Sequence, residues 1–201
     1  DDLRKTVARL AEMGDPRKDA PTVAGRPTDW TKFVRSYALV DIETGKAVGT
    51  KTRFKVRWDD EGAVIFEIKC DEPDMKNLFV TDDVWTGDSI AIQLETQGHA
   101  YYQIEVNPDG KIFDADRHGR LNQRWKSNAT VKTERGDDFW SVVVRIPVVD
   151  GEEGAADPNH HVVGAKPGMD SPWYMNVGRT RVRPSGKTSW SFPHTGTRSY
   201  H

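Results

Sequence analysis

Apolar and polar residues alternate in short runs along most of the chain. Thr52, Phe54, Val56 and Trp58 interleave with Lys51, Arg53, Lys55 and Arg57. After the turn sequence Asp59-Asp60-Glu61-Gly62, Val64, Phe66, Ile68 and Cys70 continue the period of two. The pair predicts a β-hairpin with one buried face. Residues 89–95 put Ile90, Ile92 and Leu94 on one side and Ser89, Ala91, Gln93 and Glu95 on the other. A further strand is expected over 100–106, closed by the Asn107-Pro108-Asp109-Gly110 turn, and another over 111–115. Residues 129–133, 139–146 and 173–179 complete the set. Short alternating strands separated by turns predict an all-β fold, an antiparallel β-sandwich of two sheets, immunoglobulin-like or jelly-roll-like.

Two segments break the period of two. Leu3, Val7, Leu10 and Ala11 fall at helical spacing before Gly14, which predicts a short N-terminal helix. Pro16, Pro21 and Pro27 then punctuate a linker. The expected division is therefore helix and linker over 1–28 and sandwich over 29–201. Residues 147–172 form a long connection rich in Gly, Pro and Asp. Its length suits a functional loop, and equally a surface excursion or a short helix with a tail.

Composition narrows the function. The 201 residues suffice for one well-packed domain. A net charge of -2 excludes a polyelectrolyte, so nucleic acid is not an expected partner. The basic run Arg179–Arg183 reads as a solvated strand end. No apolar run approaches the roughly 20 residues needed to cross a bilayer, so membrane insertion is not expected. Cys70 is alone and ends an apolar strand, as a buried thiol does. No nucleophile elbow, phosphate-binding glycine loop or His-Glu-x-x-His stretch is present. Glu95, Glu105, Asp114 and Asp116 could pair for glycoside hydrolysis, but among 31 acidic residues some pair always qualifies. No enzymatic activity is expected. No cofactor is required, although loop carboxylates at Asp71, Glu72 and Asp74, or at Asp82, Asp83 and Asp88, suit a structural calcium.

The candidate chemistry lies on the polar sides of the central strands. If 89–95 pairs with 100–106, one face combines Gln93, Gln103, Glu105 and Tyr101. Amides and carboxylates offer paired donors and acceptors to vicinal hydroxyls, and an aromatic ring covers the apolar face of a pyranose. The same pattern also describes the solvated side of any sandwich, and the residues alone leave both readings open. Among seven tryptophans, Trp58 and Trp140 belong to alternating strands and are expected in the core. Trp85 and Trp190 have the most polar neighbours and are the expected stacking platforms.

The ordered segments "VWTGDSIAIQLE", "YYQIEVNPDGKIFDA", "WKSNATV", "FWSVVVRIPV", "WYMNVGRTR" and "SWSF" resemble carbohydrate-binding module family 9 and its DOMON-like relatives. The likeness runs from about Trp30 to Phe192. It implies a β-sandwich that binds poly- or oligosaccharide without cleaving it, as an accessory domain of a larger secreted polysaccharide-active or cell-surface protein, extracellular or periplasmic. It implies further that Trp85 is one clamp aromatic and Asn176 a polar contact. Arg179 stands near the position of a second aromatic, where an arginine favours an acidic or sulfated sugar. Ala91 stands where relatives carry a glutamate, which removes a hydroxyl partner. Two alternatives remain: a structural domain with a decayed sugar site, and a haem-binding electron-transfer domain using Met175 with His99 or His118.

Overall fold

The structure, a computed structural model, describes residues 36–97, 99–118, 120–168, 173–182 and 188–192, with strand backbone alone for 188–192. The N-terminal helix, the linker to residue 28 and Trp30 lie outside these residues.

Among the described residues, twelve strands form two six-stranded sheets. The first sheet contains β1 (Tyr37–Ala38), β3 (Thr52–Trp58), β4 (Ala63–Asp71), β8 (Thr130–Arg135), β9 (Phe139–Val149) and β10 (Val162–Val163). Its order is β1-β3-β4-β9, and β8 and β10 share the far edge of β9. The second sheet runs β2 (Val40–Asp41), β12 (Thr188–Phe192), β11 (Tyr174–Arg181), β5 (Ser89–Thr96), β6 (His99–Val106) and β7 (Ile112–Asp116). Pairing is antiparallel except for the two-residue β9–β10 ladder. The fold is the expected two-sheet β-sandwich.

The alternation read from the sequence sets the core. Phe54, Val56, Val64, Phe66, Ile68 and Cys70 of the first sheet meet Ile90, Ile92, Leu94, Ile104, Met175 and Val177 of the second. Each of these is at most 5% exposed, so burying each contributes roughly 1.5–3 kcal/mol of apolar transfer for the larger side chains. Trp140 is fully buried as expected, while Trp58 is half-buried and meets the buried Trp173 edge-on at 5.7 Å. Trp125 is also buried, stacked on Tyr102 at 4.8 Å, with its ring N–H donating to the His161 carbonyl. Burial pushes the Cys70 thiol up to about 12 and excludes it as a nucleophile at neutral pH.

The connection over 147–172 is described as far as residue 168. It begins with the end of β9, turns through the short helix α1 (Gly151–Ala156), and returns as β10. The Asp150 carboxylate caps α1 by accepting from the Glu152 and Glu153 N–H groups. β10 then ties the sheets together: the Thr96 hydroxyl donates to the Val163 carbonyl at 2.8 Å, and the Val163 N–H donates to the Tyr102 hydroxyl at 3.3 Å.

One polar cluster joins the sheets at the end of β4. Glu72 accepts from the Arg181 guanidinium through two contacts of 2.6 Å, and from Arg179 at 2.9 Å. Arg179 also donates to the Thr52 hydroxyl and the Asp71 carbonyl. Burial opposes ionisation of Glu72. The Arg181 hydrogen bonds, the Asp74 N–H and the two guanidinium charges outweigh it and hold the carboxyl below its ordinary value. Within the basic run, Arg179 and Arg181 are therefore not a solvated strand end, because they are 0% and 9% exposed; Arg183 lies outside the described residues.

Candidate functional site

The outward face of the second sheet carries its polar chemistry in register. Asn176 of β11 faces Gln93 of β5, which faces Gln103 of β6, which faces Ala115 of β7. The next row contains Gly178, Ala91, Glu105 and Phe113. Three carboxamides thus stand side by side across three strands, and two small residues beside them make a low floor. Gln93, Gln103 and Glu105 are 8%, 1% and 6% exposed, which separates them from the ordinary wet side of a sandwich.

Hydrogen bonds fix several of these groups. The Ser89 hydroxyl donates to Glu105 Oε1 at 2.8 Å, and Gln103 Nε2 donates to Glu105 Oε2 at 3.4 Å. Arg117, just beyond β7, donates from Nε to Gln103 Oε1 at 2.8 Å. The order Arg117–Gln103–Glu105–Ser89 therefore runs from a cation to a carboxylate along the face. Tyr101 and Tyr174 are half-buried on strands of the same face.

Trp85 stands at the rim on a single 3-10 turn, Val84–Thr86. The turn is held from below. Val84 is buried, and the Asp83 carbonyl accepts from the Thr86 N–H and from the hydroxyls of Thr81 and Thr86. Asn107 of the Asn-Pro-Asp-Gly turn donates to the Thr81 carbonyl at 3.0 Å. Gly87 passes so close to the preceding loop that a Cβ there would lie 2.7 Å from the Phe79 carbonyl oxygen, a backbone atom that cannot swing aside. This explains Gly87 in the Trp-Thr-Gly-Asp-Ser sequence by close approach. The Trp85 ring is half-buried, 4.2 Å from the Phe113 ring at a 56° tilt, with the Arg117 guanidinium 5.7 Å from its centroid.

The structure thus gathers Trp85, Gln93, Tyr101, Gln103, Glu105 and Asn176 on one face or its rim. It removes Arg179 from that set. Arg179 shares strand parity with Met175 and Val177, points between the sheets and is spent on Glu72. Trp190 takes the register position opposite Arg179 on β12. Phe113, Arg117, Tyr174 and the small floor of Gly178 were not singled out from the sequence. The parity of β11 and β7 carries that signal once β5 is placed between β6 and β11.

The acidic loop sets do not assemble as a cation site. Both Asp88 oxygens accept backbone N–H groups, from Phe79 at 2.8 Å and Val182 at 2.6 Å. Burial pushes the Asp88 carboxyl above its ordinary value despite these donors. Asp82 is exposed and paired with Lys111, whose hydrogen bond and charge hold it below the usual range. Asp83 is exposed and contributes its backbone carbonyl to the turn. Glu72 is bound by Arg179 and Arg181. Among the described residues no three acidic, His or Cys side chains converge on a point where they could hold a metal ion.

The residues named for haem are engaged elsewhere. Met175 is core, at 5% exposed, and His99 is bonded to Asp116 at 2.7 Å and stacked on Tyr102 at 4.0 Å. A separate hollow of about 700 Å³ lies beyond β7, lined by Asp116, His118, Arg120 and Asn159 among others. It shares no lining residue with the sheet face.

Comparison with solved structures supports the fold. A candidate carbohydrate-binding protein from Bacteroides uniformis superposes with a TM-score of 0.61 at 15% identity, over 84% of this chain and 81% of its own. A carbohydrate-binding module family 9 protein from Caldicellulosiruptor kristjanssonii, in complex with cellotriose, gives 0.54 at 16% identity, over 86% and 78%. The structure of such a module from that organism with glucose gives 0.51 at 15% identity, over 86% and 81%. At these identities the likeness establishes a shared β-sandwich. No family model matches the chain, and no curated protein sequence matches it.

Proposed function

We propose that this chain is a non-catalytic carbohydrate-binding module that holds a sugar against the outward face of the β11-β5-β6 strands. The observation that carries the reading is the row Asn176–Gln93–Gln103 with Glu105 beside it and Trp85 at the rim. Three carboxamides and a carboxylate in register supply donors and acceptors at the spacing of neighbouring strands, about 4.8 Å. That spacing suits hydroxyls around one pyranose ring and its neighbour. Ala91 and Gly178 keep bulky side chains out of the adjacent row, and Trp85 offers an apolar surface braced before any ligand arrives. Neighbours of the same fold crystallised with cellotriose and with glucose support a sugar ligand. Secretion and attachment to a larger polysaccharide-directed protein belong to the same proposal.

Ala91, read from the sequence as a missing hydroxyl partner, gains a different meaning in register. The residue directly opposite it on β6 is Glu105. A carboxylate is present at this level of the face, supplied by the adjacent strand.

The test is a glycan array followed by titration calorimetry on wild type and Trp85→Ala. A ring stacked on a sugar contributes on the order of 1 kcal/mol beyond its area, so affinity should fall about fivefold to tenfold. Binding that is indifferent to Trp85 would remove it from the site. A wild-type protein that binds no glycan would favour the decayed-site alternative.

A further inference from the structure

The proposed face has a cation at one end that no acidic group among the described residues neutralises. Arg117 donates its Nε to Gln103 and its backbone N–H to the Tyr101 carbonyl, and its guanidinium lies over Trp85. No carboxylate of the described residues lies within ion-pair distance of it, whereas Arg57, Arg135, Arg145, Arg179 and Arg181 all have one. The Gln103 bond and the Trp85 ring orient the group without neutralising it, and among the described residues Nε alone of its guanidinium nitrogens has a hydrogen-bond partner. Its terminal N–H groups form the fork that receives a planar carboxylate or a sulfate through two parallel hydrogen bonds.

The face also carries the opposite charge. Glu105 sits on the far side of Gln103, held by Ser89 and Gln103. An anion placed near Glu105 would be repelled, while sugar hydroxyls can donate to it. The face therefore has a polarity, with hydroxyl donors received at Glu105 and an anion at Arg117. We propose that Arg117 is the specificity-determining residue of this face and that it selects an acidic sugar, one bearing a carboxylate or a sulfate ester. The inference rests on the sugar-binding reading above and adds the class of sugar.

The experiment measures affinity ratios by calorimetry on the full chain, using galacturonate trimer, galactose trimer and a 6-sulfated galactose trimer, with the corresponding glucuronate and glucose oligomers. The acidic member of a matched set should bind at least about tenfold more tightly than the neutral one at low salt, with the ratio shrinking as salt rises. Whether uronate or sulfate leads identifies the anion. In Arg117→Gln the acid-to-neutral ratio should collapse to about one, and Arg117→Lys should retain part of it because charge remains without the fork. Arg57→Gln, on the other sheet, removes the same charge and should leave the ratio unaltered. A neutral sugar bound as tightly as its acidic partner, with Trp85→Ala still weakening it, would overturn this inference and spare the sugar site. A ratio that survives Arg117→Gln, or falls equally in Arg57→Gln, would also overturn it. Failure of every glycan to bind would overturn both.

Discussion

Glu72→Gln is expected to lower the unfolding free energy by about 3 kcal/mol at neutral pH. The substitution removes the carboxylate that the guanidinium groups of Arg179 and Arg181 share. Arg179 is fully buried, and the Arg181 side chain retains 11% exposure, which puts the effect at the lower end of the range for breaking a buried pair. For a chain of this length the melting temperature should fall by roughly 6–12 °C. The loss should depend on pH with a definite sign. The folded Glu72 carboxyl is held below its ordinary value, so its contribution is complete above the unfolded carboxylate range, near about 4.3, and fades as pH falls through the folded value. Wild type and variant should therefore converge in acid. Chemical denaturation of both proteins across pH checks this, and a constant gap from pH 7 down through the acid limb would mean that the cluster does not work through the charge of Glu72.

Ala91→Glu, the change that would restore the residue type the family resemblance implies, is expected to destabilise the fold rather than improve the site. Ala91 is 3% exposed and directly opposite Glu105, where paired residues have Cβ atoms about 5 Å apart. Two carboxylates would share one buried patch, and Gly178, the residue opposite on the other side, has no side chain to offer a counter-charge. The expected cost is roughly 2–3 kcal/mol at neutral pH. Like-charge repulsion raises the carboxyl pKa values of the pair, so the penalty applies above the raised value and is relieved as pH falls through it. A melting temperature that recovers towards wild type on mild acidification would bear this out. An unchanged stability at pH 7 would show that the opposing position is not as close, or as buried, as the register makes it.

The two positions show what the sequence could and could not disclose. Alternation along 89–95 and 100–106 displayed which residues share a face, because a period of two admits only two sides. On β11 the same rule assigns Arg179 to the side of Met175 and Val177, the core side, and its expected place in a sugar site conflicts with that parity. What no local pattern could supply is the partner: Glu72 lies 107 residues away, just past the end of β4 in the other sheet. Cross-strand register is equally nonlocal. Ala91 looks like an absence along its own strand, and only pairing with β6 shows a carboxylate beside it. Arg117 sits just past a strand end, where alternation loses force, and its relation to Trp85 depends on β7 lying at the edge beneath that turn. The turn was legible as a puzzle, a tryptophan among polar residues, and the hydrogen bonds from Thr81, Thr86 and Asn107 explain why it stays in place.

Binding at this face is tested by an NMR titration that follows the side-chain amide groups of Gln93, Gln103 and Asn176 as the best-binding glycan is added. Saturable shifts are expected at all three, together with the Trp85 indole N–H, while amides on the outer face of β3 and β4 remain unmoved. Shifts confined to the other sheet, or to the hollow around His118 and Asn159, would contradict it.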